Sequence, residues 1–215
     1  MIKTWRDIEA LFRLSAIAPS MVLPMLGSAS VSPDLSLYQL AGIGMIGFNA
    51  HIFGYVLNDV IDLPLDRTEP RKKNHPLVRG SIATKPALLF ALIQAPMAMS
   101  IAAIINFDIA SLSILVTSFL LVILYNTYGK KTSFPIFFDL ILGVSASLFV
   151  IFGAFIEGHH INQTTAIISF YSLIYITSIN SIHGGIRDIE NDAKCNSITT
   201  PIKLGVHLDE NNTII

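Results

Sequence analysis

Asn58-Asp59-Val60-Ile61-Asp62-Leu63-Pro64-Leu65-Asp66-Arg67 follows one long apolar stretch and precedes another. Three carboxylates stand within eight residues at that boundary. Asp is among the costliest side chains to bring near a hydrocarbon core. A cluster of them there calls for counter-charge, and a bound metal ion is its most compact source. A second cluster, Asp188-Ile189-Glu190-Asn191-Asp192, closes a later apolar stretch. One acidic residue at a helix end is ordinarily solvated surface. Two spaced clusters, each ending a membrane-length stretch, point to function instead.

The surrounding composition sets the fold class. Of 215 residues, 52% are hydrophobic and 13% charged, with mean hydropathy +0.61. A soluble domain carries roughly a quarter charged residues. The chain reads as all-α, a polytopic transmembrane helical bundle. Six spans of about 20 residues, the length that crosses a bilayer core, are expected at 11–30, 37–57, 86–105, 110–127, 136–156 and 166–186. Residues 1–207 form the expected transmembrane domain, and 208–215 a polar tail that cannot span. The polar start, Met1 to Glu9, and the long first apolar stretch do not resemble a cleavable signal. Cys195 is the only cysteine, so no intrachain disulfide forms. A net charge of −1 argues against a nucleic-acid partner.

With six spans, all 14 Lys and Arg residues fall on one side of the bilayer. Lys3, Arg6 and Arg13 lie at or before the first span, and Arg67, Arg71, Lys72, Lys73, Arg79 and Lys85 lie between the second and third. Lys130 and Lys131 follow the fourth, and Arg187, Lys194 and Lys203 follow the sixth. The opposite loops hold Asp34, Asp108, Glu157, His159 and His160. The positive-inside rule makes the basic side cytoplasmic, together with the N-terminus and both acidic clusters. An odd error in span count would scatter this pattern.

Asn58, Asp62 and Asp66 are spaced i, i+4, i+8 and would share one helix face, with Asp59 beside Asp62. Pro64 is expected to end or kink the helix near Leu63 and to leave Asp66 on a loop. Asp188 and Asp192 are also i, i+4. Mg²⁺ takes oxygen ligands, usually one or two carboxylates plus substrate phosphates and water. Two facing carboxylate segments would hold Mg²⁺ ions that clamp a diphosphate, with Arg67, Arg71, Lys72, Lys73, Arg79 and Lys131 available for its remaining charge. Asn49, His51, Asn180 and His183 are polar positions within spans. They line an acceptor pocket or bond between helices, and His183 is suited to take or hold a proton.

These residues resemble the UbiA superfamily of intramembrane prenyltransferases. Asn58, Asp59, Asp62 and Asp66 match its N-D-x-x-D-x-x-x-D motif, and Asp188 and Asp192 match its D-x-x-x-D motif. The basic loop Arg71 to Gly80 resembles the family's loop, with His75 where Arg is usual. Thr199-Thr200-Pro201 and Gly205 fit the segment after the second motif, and Tyr125, Tyr128, Lys130 and Lys131 fit the Tyr and Lys after span four. The resemblance covers roughly Arg13 to Gly205. It implies a helical bundle around a cavity open to the membrane, where a polyprenyl diphosphate is ionised on Mg²⁺ and an acceptor, often aromatic, takes the prenyl group. It implies that Asp59, Asp62, Asp66, Asp188 and Asp192 are catalytic Mg²⁺–diphosphate ligands. Asn58, Arg67, Lys72, Lys131, Tyr128, Asn180 and His183 are the implied substrate-binding residues. The bilayer and a hydrophobic or aromatic acceptor are the implied partners, as in quinone-type biosynthesis.

Members of that superfamily typically have nine spans. The polar tail after six leads to the expectation of a shortened chain with weak or absent activity. Other classes fit less well. CDP-alcohol phosphatidyltransferases also place Asp at membrane helices, but in one continuous run that is missing here. A transporter would carry ionisable groups near mid-span and repeated halves. A catalytically dead scaffold is the remaining non-enzyme reading.

Overall fold

The computed structural model describes residues 5–129, 132–187, 189–194, 198–207 and 209; at 191, 193 and 194 it describes the backbone alone. Among the described residues there are helices and turns and no strands. Six helical segments are long and apolar enough to cross a membrane, the number expected from hydropathy and charge. The protein is an integral membrane protein.

The first span, Trp5–Val31, is broken. Helix α1 (Trp5–Phe12) ends where Arg13 adopts the left-handed region at φ 47° and ψ 48°, and a 3₁₀ turn (Leu14–Ala16) leads into α2 (Ile17–Val31). A non-glycine residue there is uncommon, so the surroundings of Arg13 must hold it. Helix α3 (Leu37–Ile61) starts at a capping box in which Ser36 and Gln39 satisfy each other's backbone N–H groups. It runs four residues past the expected end, so Asn58 and Asp59 lie on its last turn. The short α4 (Leu63–Asp66) follows, then α5 (Thr84–Ile105), α6 (Ile109–Tyr128), α7 (Pro135–Gly158) and α8 (Gln163–Ser178). Asp108 caps α6 by accepting from the Ser111 N–H at 2.6 Å, which holds its carboxyl below the ordinary range. A π-helical turn (Ile179–Gly184) extends α8 into α9 (Gly185–Arg187), and α10 (Ile189–Lys194) and α11 (Thr200–Lys203) complete the described chain.

The core centres on α3, where Ile43, Ile46, Ile52, Phe53 and Val56 are almost fully buried. Phe53 meets Phe119 of α6 edge to face, with ring centroids 4.8 Å apart. Leu89 and Ile104 of α5 and Ile167, Phe170 and Tyr171 of α8 are exposed, as lipid-facing positions should be. Association of helices in a bilayer relies on close packing because lipid already solvates apolar surface. Helices α2 and α7 meet this need with glycine. A Cβ at Gly27 would lie 1.9 Å from the Val150 carbonyl oxygen, and one at Gly153 would lie 1.9 Å from that of Pro24.

Candidate active site

A cavity of about 530 Å³ opens between α2, α3, α6, α7 and the π-helical end of α8. Leu23, Val122, Leu142 and Phe149 form apolar wall. Arg13, Asn58, Tyr125, Asn126, Asp139, Asn180, His183, Arg187 and Asp192 supply the polar positions.

The first acidic motif sits at the α3–α4 junction. Hydrogen bonds from Asp62 N to Asn58 O and from Asp66 N to Asp62 O, both 2.8 Å, carry the helical spacing across the break. Pro64 falls in the first turn of α4, where its missing N–H costs nothing. Asp66 therefore ends a helical turn; the expected loop is corrected because the proline starts this helix as α3 stops. Asn58 donates from Nδ2 to Asp62 Oδ2 and to Asn126 Oδ1, both at 3.1 Å. Asp59 is buried and pairs with Arg13, which also lies over the Tyr55 ring at 4.8 Å. His75 Nε2 stands 3.4 Å from the other oxygen of Asp59. Asp66 accepts from Lys72 Nζ at 2.6 Å. Burial pushes the Asp66 carboxyl above the ordinary carboxylate range, against the opposing pull of Lys72.

The second acidic segment follows the π-helical turn. Asp188 lies outside the described residues, as does Lys131. Asp192 is buried and borders the cavity. Asn180 donates to Asp139 Oδ1 at 2.6 Å and lies 2.8 Å from the Tyr125 hydroxyl. The Thr200 hydroxyl donates to Asp139 Oδ2 at 2.5 Å. The Arg187 carbonyl accepts from Arg71 Nη2 at 3.1 Å, linking this segment to the basic loop.

The structure thus brings Asn58, Asn180, His183 and Asp192 to one cavity. Asp59, Asp62, Asp66 and Lys72 lie beside Asn58 at the α3–α4 junction and basic loop but do not border the cavity, and Arg67 is exposed and outside it. Tyr128 is corrected: it is 53% exposed, does not border the cavity, and packs near Phe138, whereas Tyr125, one turn earlier, lines the wall. Of the other in-span polar residues, His51 also borders the cavity and bonds Phe12 O at 2.9 Å and Ser20 Oγ at 3.1 Å, whereas Asn49 is buried away from it. Asp139, Asn126 and the Arg13–Asp59 pair escaped the sequence reading. The signal for Asp139 was a single carboxylate in an otherwise apolar span.

The donor set suits a hard divalent cation. Among the described residues no three His, Cys, Asp or Glu side chains converge into a ready metal site. Asp66 Oδ2 is nevertheless buried without a hydrogen-bond partner, and Asp59 Oδ2 has the His75 ring 3.4 Å away. Oxygen donors that are buried, acidic and incomplete fit an ion that draws its other ligands from a phosphate and water.

The comparisons with known proteins agree with this architecture. The chain is 32% identical over 139 residues to the 4-hydroxybenzoate octaprenyltransferase of Shewanella oneidensis, a match covering 65% of this chain and 45% of that protein. The enzyme of the same name from Shewanella pealeana is 29% identical over 103 residues, covering 48% and 34%. The chain therefore spans less than half the length of these relatives in the matched region. Among solved structures, a digeranylgeranylglyceryl phosphate synthase superposes with a TM-score of 0.72 at 24% identity, covering 92% of this chain and 68% of that one. A UbiA homolog from Archaeoglobus fulgidus, bound to DMAPP and Mg²⁺, superposes with a TM-score of 0.70 at 17% identity, covering 93% and 69%. These two share the fold. The family profile matches residues 16–210, nearly the whole chain, and the chain belongs to the UbiA prenyltransferase family.

Proposed function

We propose that this protein transfers a prenyl group from a polyprenyl diphosphate to a hydrophobic, aromatic acceptor in a Mg²⁺-dependent reaction. One observation carries the reading: Asn58 of the first motif and Asp192 of the second border the same cavity. The names of the Shewanella relatives support an aromatic acceptor, and the Archaeoglobus structure supports a prenyl diphosphate with Mg²⁺.

In this reading Asp59, Asp62, Asp66, Asp188 and Asp192 hold Mg²⁺ and the diphosphate, and Asn58 orients Asp62. When bound, Mg²⁺ supplies charge stabilisation to the departing pyrophosphate. Arg13 and Arg187 add fixed positive charge along the cavity and Lys72 adds it beside Asp66, with Arg67 and Lys131 as further diphosphate cations. The C–O bond of the donor breaks to give an allylic cation and pyrophosphate. An acceptor carbon forms the new C–C bond and then loses its proton, for which His183 at the cavity wall is the candidate base. The apolar wall excludes water, which would otherwise capture the cation. The one-sided lysines and arginines support a cytoplasmic location for this chemistry.

The test is direct. The purified protein in lipid nanodiscs is given geranyl diphosphate, an aromatic acceptor and Mg²⁺, and prenylated product is measured by mass spectrometry. Product that requires Mg²⁺ supports the reading. Neither product nor Mg²⁺-dependent binding of a geranyl thiodiphosphate analogue would sink it.

A further inference from the structure

Asp139 is buried in the middle of the site, and the proposed chemistry makes no use of it. Its two oxygens accept from two residues that flank the second acidic segment in sequence. Asn180 precedes Asp192 and donates to Oδ1 at 2.6 Å; Thr200 follows it and donates to Oδ2 at 2.5 Å. Both donors are neutral, and among the described residues no cation pairs with this carboxylate. A buried carboxylate satisfied only by neutral hydrogen bonds costs more than an amide would. Its retention in an apolar span needs a reason.

The chain between the two donors supplies one. It leaves α8 through the π-helical turn, forms α9 and α10, and returns at α11. The return is tight: a Cβ at Gly185 would lie 2.6 Å from Pro201 Cδ. The segment is a loop closed at its neck by Gly185 against Pro201 and by Asp139 between Asn180 and Thr200. Asp192 is carried on that loop and faces the cavity. The Tyr125 hydroxyl, 2.8 Å from Asn180 Nδ2, fastens the same neck to α6.

We propose that Asp139 is a positioning residue that clasps both ends of the 180–200 segment and so sets Asp192 against the first motif. Its catalytic meaning rests on the reading above, in which Asp192 helps hold the diphosphate. Hydrogen bonds to a charged acceptor are stronger than neutral ones, so a carboxylate holds the neck more firmly than an amide. π-helical turns are often found at functional sites, and this one places Asn180 where Asp139 and Tyr125 both reach it.

Two measurements on the full chain in detergent micelles test the clasp. The first is amide hydrogen exchange of peptides covering 185–203, with 37–61 as the control. The second is calorimetric binding of a geranyl thiodiphosphate analogue in Mg²⁺. Asp139→Leu is expected to speed exchange in 185–203 and to weaken the analogue by about tenfold or more, leaving 37–61 unchanged. Asp139→Asn keeps the size should the leucine variant fail to insert, and leaves only the weaker neutral hydrogen bonds, its amide oxygen accepting from Asn180 and its NH₂ donating to Thr200. The swap Asp139→Asn with Asn180→Asp rebuilds each hydrogen bond with the carboxylate moved to the other side. It is expected to restore both readouts. Unchanged exchange in 185–203 for the single variants overturns the proposal, as does a folded swap variant no better than Asp139→Asn. Loss of transfer with unchanged exchange would instead make Asp139 a proton acceptor and also overturn it. If the wild-type chain binds no analogue, the proposed function fails and the exchange measurement alone decides the clasp.

Discussion

Asn58 of the first acidic motif and Asp192 of the second acidic segment border one cavity, but the two regions are held in place by different physics. Asp59 and Asp66 lie on backbone whose helical hydrogen bonds continue across the α3–α4 junction. Side chains from two other segments reach them: the Arg13 guanidinium from the break in the first span, and the Lys72 ammonium and the His75 ring from the basic loop. The second segment is built of short helices, and its neck is closed by neutral donors on Asp139 and by a glycine against a proline. One motif is fixed by charge on a long, buried helix; the other is joined at its neck by Asn180 and Thr200 on Asp139 and by Gly185 against Pro201.

Removing one acid from each side should have the largest effect. Asp62→Ala and Asp192→Ala are each expected to lower kcat/KM for prenyl transfer by about a hundredfold or more, the scale seen for a lost electrostatic group in a dry site. Wild-type activity in either variant would break the idea that the two sides act on one substrate. Next comes the charge lock of the first motif. Arg13→Ala leaves Asp59 buried without its main partner and should destabilise the fold by about 3 kcal/mol. The double variant with Asp59→Asn should regain much of that loss, measured by chemical denaturation in mixed micelles.

Gly185→Ala sharpens the contrast from the other side. Its methyl would press on Pro201, at a cost of about 1–2 kcal/mol confined to the neck. Affinity for a Mg²⁺–diphosphate analogue should fall while the thermal midpoint moves by only a few degrees. A smaller effect follows from Asp66, whose carboxyl is raised by burial. The folded state then binds its proton more tightly than the unfolded state. The associated stability is fully present below the ordinary carboxylate pKa of about 3.9 and is lost as pH rises through the raised value. Asp66→Asn should flatten that part of a stability–pH profile. The smallest difference separates two tyrosines. Tyr125→Phe loses a bond at the neck and should cost about 1 kcal/mol. Tyr128→Phe, at an exposed position, should stay within about 0.5 kcal/mol.

The parts legible from sequence were those written as runs or repeats. Six apolar stretches, the one-sided lysines and arginines, and the two spaced acid motifs all emerge from patterns longer than a helical turn. What escaped depended on single residues meeting across the bundle. Asp139 has no pattern around it, and only the fold shows that Asn180 and Thr200 converge on it. The left-handed turn at Arg13 carries no glycine or proline to announce it, so the partner of Asp59 was invisible. Pro64 does mark a break, but α4 starts at once because proline suits a first turn. Tyr125 and Tyr128 lie nearly on one face, so register alone could not choose between them.

The glycine crossing of α2 and α7 has a mechanical consequence for the site. The two backbones touch at Gly27 and Gly153, while Pro19 and Asp139 of the same helices border the cavity. The crossing is therefore a fulcrum. From Gly27 to Pro19 the lever arm is about 12 Å at the helical rise per residue, so a rotation of about 5° at the crossing would shift the cavity wall by about 1 Å. Displacements of that size between reacting groups can change rates by about a hundredfold. Two hydrogen atoms in place of two methyl groups thus set the width of the cavity.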